Sequence, residues 1–218
     1  MYMQYPRAKR LRIQRKAAQS SALRTSGVSG AEPLSDYHRG MRQRRWTTIV
    51  AVIVLAVVVF VAALWPVYVR PRVDAPARAD AILVLGGAHD GREELGLRLA
   101  EEGYAPRVLF SDPYQVSPMI DRICHGGYSF AVDCFNPDPP TTRGEGRELA
   151  ARARAGGWRR VIVITFTPHI SRARYVLGKC WDGSILMVDP RPHISLGRWA
   201  YNYVYQSAGY IKATTEDC

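Results

Sequence analysis

The stretch Ile49–Trp65 contains no charged or strongly polar residue, and no cysteine precedes Cys124. The first absence excludes a soluble surface helix, which carries a polar stripe every 3.6 residues. Neither GxGxxG nor GxxxxGK[ST] occurs, so a standard dinucleotide or Walker phosphate site is excluded. No CxxC pair occurs, which argues against a structural zinc site. Lysine is scarce, arginine outnumbering it roughly six to one, and no internal repeat is visible.

Acidic residues are nearly missing from the leading segment. Between Met1 and Trp46, eleven Lys/Arg face two Asp/Glu, while nineteen basic and seventeen acidic residues follow Val69. The formal charge of +11 therefore belongs to a tail and not to a folded surface. A tail of this kind is explained by topology and anionic lipid, so no nucleic-acid partner is expected.

What the middle of the chain does have is an apolar segment of about 23 residues, 47–69, long enough to cross a ~30 Å hydrocarbon core. Trp46 stands at one end, and Trp65 with Tyr68 at the other, where amphipathic rings favour the interface. Arg39, Arg42, Arg44 and Arg45, backed by Arg7, Lys9, Arg10, Arg12, Arg15 and Lys16, outweigh Arg70 and Arg72 on the far side. That asymmetry predicts a cytoplasmic amino terminus. A cleaved signal peptide ending near Ala75-Pro76-Ala77 is the rival, but its apolar core should be shorter and its leader far shorter. The expectation is an uncleaved, single-pass anchor in a bacterial cytoplasmic (inner, plasma) membrane. Residues 1–46 form the basic tail, irregular over Met1–Met41, residues 70–79 a Pro-rich linker, and residues 80–218 one outer domain.

All four cysteines, Cys124, Cys134, Cys180 and Cys218, fall in that outer domain, as an oxidising compartment would permit. Four cysteines allow three pairings. Cys124 and Cys134 bracket a Gly-rich turn and are paired here, leaving Cys180 with Cys218; four free thiols, or a zinc site using His125, are the alternatives.

Strand and helix patterns alternate along the domain. Ala81–Leu85, Arg107–Phe110, Val161–Thr165 and Ser184–Val188 read as buried strands. Gly91–Glu102, Thr142–Ala155 (with a Thr cap), Pro168–Lys179 and Leu196–Lys212 read as helices. Alternation predicts an α/β fold, a three-layer, Rossmann-like parallel sheet preceded by one transmembrane helix. Ligands in such sheets bind beyond the carboxyl ends of the strands. That rule selects Gly86–Arg92, Ser111–Gln115, the start of the Thr142 helix, and Thr165–Arg172.

These loops hold the candidate chemistry. Gly86 and Gly87 let backbone amides approach an anion. Arg92, in the first turn of a helix, is poorly placed for the helix dipole, which favours an anion-binding role. Thr165-Phe-Thr-Pro-His169-Ile-Ser-Arg172 puts a His and an Arg three positions apart at a helix start. A His there tends to be neutral and suited to act as a base, and Arg172 adds charge for a phosphate or carboxylate. Glu145 could orient His169 or act as an acid. Asp112, Glu145 and His169 could hold a metal weakly; no metal or other cofactor is expected.

Taken in order, DAILVLGG, an Arg eleven places before Gly103, the strand-end Ser111, TTRGE and VIVITFTPHISRA resemble the YdcF-like family, with its SanA-like and ElyC-related envelope proteins. The resemblance spans about Asp80–Pro190. It implies a three-layer α/β fold, inner-membrane anchoring, and a link to cell-envelope integrity and peptidoglycan supply. Carried over residue by residue, it implies a site of Gly86, Gly87, Arg92, Ser111, Thr142, Glu145, Thr165, His169 and Arg172. The chain departs from the family pattern where Ser-Gly-Gly becomes Ser111-Asp112-Pro113 and where Thr-x-Glu-Asn becomes Thr142-Arg143-Gly144-Glu145. It also carries an added loop bearing Cys124 and Cys134.

The expected function is a membrane-anchored hydrolase or transferase acting on an anionic envelope small molecule or lipid-linked precursor. Arg92, Arg172 and the Gly86–Gly87 amides would hold the anion, and Ser111, Thr142 and Thr165 would line its site. His169, with Glu145 behind it, would move the proton. The alternative is a non-catalytic ligand-binding or scaffold module of the envelope.

Overall fold

A computed structural model describes residues 34–114 and 118–218. The basic cluster from Arg7 to Lys16 and the irregular structure expected around it lie outside those residues, as does Gln115.

Helix α1 runs from Leu34 to Tyr68, with Pro66 in its last turn. It begins inside the segment expected to be irregular. Once an apolar helix is nucleated, each added Arg, Gln or Met residue costs little. From Ile49 to Val59 its large apolar side chains are exposed. No packing among the described residues covers them, and by length and composition the helix can cross a membrane.

The rest of the chain alternates as the sequence predicts. β1 (Ala81–Val84), α2 (Arg92–Glu101) and β2 (Arg107–Ser111) come first; α3 (Pro118–Cys124) and β3 (Ala131–Phe135) follow. Then come α4 (Thr142–Gly156), β4 (Arg160–Ile164), a 3-10 turn at Thr167–His169, α5 (Ile170–Cys180), β5 (Ser184–Val188) and α6 (Leu196–Thr215). The five strands form one parallel sheet in the order β3-β2-β1-β4-β5, and Ile82 sits between Val108 and Ile162. The fold is the expected α/β sheet.

Alternation along β1 divides the core in two. Ala81, Leu83 and Leu85 pack with Leu149 and Ala153 of α4 and Ala173 and Leu177 of α5. Ile82 and Val84 face the other way, onto Leu95 and Leu99 of α2 and Ile120 and Ile123 of α3. Each of the Leu, Ile and Val side chains among them contributes roughly 1.5–3 kcal/mol on burial. Gly96 lets α2 settle on the sheet, because a Cβ there would lie 2.7 Å from Val84.

Two elements were not visible in the sequence, α3 and β3. β3 lies at the sheet edge, and only Phe135 of it is buried. An edge strand exposed on one side does not need a continuous apolar run. The disulfides are Cys124–Cys134, which ties the end of α3 to β3, and Cys180–Cys218, which pins the carboxy terminus to the end of α5. With all four cysteines joined, the zinc alternative is removed.

Candidate functional site

Chain order reverses at β1: β2 and β3 are added on one side, β4 and β5 on the other. The loops leaving β1 and β4 therefore diverge to opposite faces and open a crevice at their carboxyl ends. An open cavity of about 280 Å³ occupies it. Gly86, Gly87, Arg92, Thr142, Glu145, His169 and Arg172 all line it. Ser111 lies beside a neighbouring hollow under Gly86 and Gly87, and Thr165 is buried below. The hydroxyls of both have no hydrogen-bond partner among the described residues.

The partners of these residues differ from those expected. Arg92 is buried and already occupied. Its Nε and Nη2 donate to the two carboxylate oxygens of Asp90 at 2.8 and 2.6 Å, and its Nη1 donates to the carbonyls of Leu85 and Gly86 at 3.0 and 3.2 Å. With four of its five N–H groups so engaged, the guanidinium braces the Gly86–Gly87 turn. Glu93, the next residue, meets His89 at 2.9 Å.

Glu145 does not orient His169. Its Oε1 accepts the Gly86 amide at 2.7 Å. An internal carboxylate thus occupies one of the amides expected to cradle a ligand. Burial raises the Glu145 pKa, against the Gly86 amide, the nearby Ser111 hydroxyl and the charges of Arg92 and Arg172, which favour the carboxylate. Ser111 acts by proximity, without a hydrogen bond of good geometry. Gly144 admits no side chain beside Glu145, because a Cβ there would run into the Pro139 carbonyl.

The residue that orients His169 is Gln206 of α6. Its Oε1 accepts Arg172 Nε at 2.7 Å and lies 3.3 Å from His169 Nδ1. Because that oxygen can only accept, the ring proton belongs on Nδ1 and Nε2 carries the lone pair. Nε2 lies 3.2 Å from the Thr142 hydroxyl, which therefore donates to it. Thr142, the first residue of α4, was expected to cap its helix; neither it nor Thr141 does so through its side chain. Burial, then the charges of Arg172 and Arg92, holds the His169 pKa well below the usual value of 6.5. His169 is neutral, with its basic nitrogen at the cavity wall.

Arg172 also uses little of its donor capacity. Beyond Nε its guanidinium makes no hydrogen bond among the described residues; it lies 5.7 Å over the Tyr205 ring. Burial lowers its pKa from the ordinary guanidinium range, and it stays charged. Of the two arginines it is the one with more donors to spare for an anion.

The sequence reading missed Gln206, Asn202, Arg198, Tyr201, Tyr205 and Phe166, all of which line the cavity. Asn202 and Gln206 stand four apart in a helix otherwise rich in aromatics, and both are 1% exposed. A polar pair at helical spacing inside an apolar face was the available signal. Among the described residues no group of three His, Cys, Asp or Glu side chains is placed to hold a metal, and Asp112, Glu145 and His169 do not form one.

Comparison with protein-family models, curated proteins and solved structures finds no match to this chain.

Proposed function

We infer that the domain is an enzyme, a hydrolase or transferase that acts on a phosphate- or carboxylate-bearing precursor of the bacterial cell envelope. A neutral His169, held by Gln206 with its Nε2 toward Thr142 and flanked by the spare donors of Arg172, carries this reading. Base, orienting group and anion-binding cation meet at one crevice, the arrangement that proton transfer to or from a bound anionic substrate requires. Arg172 receives the anion, and Nε2 takes the proton of the attacking hydroxyl, which is water or the Thr142 side chain. Glu145, its pKa raised by burial, supplies a proton to the leaving group. Arg92 and Asp90 hold the Gly86–Gly87 wall in place.

The YdcF-like resemblance supports the same reading. The positive flank before the apolar span supports a cytoplasmic amino terminus in the inner membrane. Two disulfides support a domain outside the reducing cytoplasm.

The test is turnover by the purified full chain against a panel of phosphate and carboxylate esters. His169→Ala should abolish turnover in a chain that still unfolds cooperatively, and Arg172→Ala should weaken substrate binding. Retained turnover in His169→Ala would overturn the reading.

A further inference from the structure

Helix α6 has three kinds of surface. Asn202 and Gln206 are buried toward the cavity. A second face meets the end of α1. Tyr203 stacks edge-on against Tyr68 at 5.3 Å, lies 6.3 Å from the Phe60 ring, and donates its hydroxyl to the Val61 carbonyl at 3.2 Å. Ser207 meets the Tyr68 hydroxyl at 3.0 Å. Val61 stands seven residues before Tyr68, about 10 Å back along the apolar helix. α6 therefore reaches a level that belongs to the apolar span.

The third face is exposed and carries no charge. Gly197, Tyr201, Val204, Ala208 and Ile211 follow one another at helical spacing. Val204 is 70% exposed and Ile211 69%, and Leu196 at the start of the helix is 88% exposed. Arg198 and Lys212 flank this stripe. A stripe of this kind beside a helix that itself reaches into lipid is suited to the interface between head groups and acyl chains. Tyr201 belongs to both the stripe and the cavity wall.

We propose that α6 lies in the lipid interface and opens the cavity to the bilayer, so that the substrate is a membrane-resident amphiphile. Its anionic head enters beside Arg172 while its apolar chain stays in lipid along Tyr201 and Val204. This rests on the enzymatic reading above, and it narrows the substrate class to lipid-linked anions.

The full chain is placed in phosphatidylcholine nanodiscs with a benzophenone amino acid at Val204, at Ile211, or at Arg122 on the exposed side of α3. Lipid adducts are expected at Val204 and Ile211 and none at Arg122. In parallel, nanodiscs containing phosphatidic acid should raise the wild-type unfolding midpoint, and Arg172→Ala should lose the shift. Val204→Glu/Ile211→Glu should lose the shift with phosphatidic acid and keep any shift with inorganic phosphate. Absence of lipid adducts at both positions, or adducts to a second copy of the chain instead, overturns the proposal. If inorganic phosphate still stabilises the chain in that case, the anion site survives the failure. Lipid adducts without any response to phosphatidic acid overturn the amphiphile substrate.

Discussion

The carboxylate of Glu145 accepts the amide of Gly86 at 2.7 Å, across 59 residues of chain. The contact joins the start of α4 to the turn after β1, and it puts a buried acid against the cavity wall. Burial raises the Glu145 pKa above 4.5, so the native state holds a proton that the unfolded chain releases at lower pH. The stability gained from that proton is full below about 4.5 and is lost as pH rises through the folded value. Glu145→Gln keeps an acceptor for Gly86 and removes the titration. Unfolding midpoints across pH should therefore show the variant gaining on wild type as pH rises, while its turnover falls.

His169 predicts the opposite slope. Its folded pKa lies well below 6.5, so the unfolded chain binds the proton first as pH falls. Its contribution is present above about 6.5 and is lost as pH drops toward the folded value. The midpoint gap between wild type and His169→Gln should close below pH 6.5 and be constant above it. A gap that does not change with pH would mean that the ring is not held neutral.

The two arginines should separate stability from binding. Arg92→Ala leaves Asp90 and the Leu85 and Gly86 carbonyls without their donor and should cost about 3–5 kcal/mol in denaturant titration. Lysine cannot reproduce the fork and should recover only part of that loss. Arg172→Ala removes one hydrogen bond to Gln206 and should cost about 1.5 kcal/mol, yet it should abolish stabilisation by added anions.

The disulfides should contribute unequally. Cys180–Cys218 closes 38 residues and Cys124–Cys134 closes 10. Loop entropy assigns them roughly 4 and 3 kcal/mol. Paired Cys→Ser replacements, compared by denaturant midpoint, should follow that order.

Gln206 shows where the sequence stops being readable. It stands 37 residues beyond His169, in a helix the sequence predicts, yet nothing in its local pattern names a partner. His169 and Arg172 were found because the strand-end rule acts on neighbouring residues. The partners of Arg92 were hidden for a related reason. A buried guanidinium must satisfy its donors, and Asp90 with two carbonyls does so before any ligand arrives.

By itself the sequence determined the apolar span, the alternation of strands and helices, and the loops that meet at the crevice. Each depends on periodicity, turn residues or burial within a few positions, and the chirality and layering of parallel sheets do the rest. Only the tertiary structure decided that Glu145 faces Gly86, that Gln206 holds both His169 and Arg172, and that Tyr203 reaches Val61. Those pairings depend on where packed helices leave buried donors and acceptors within about 3 Å of each other, a distance no local pattern encodes.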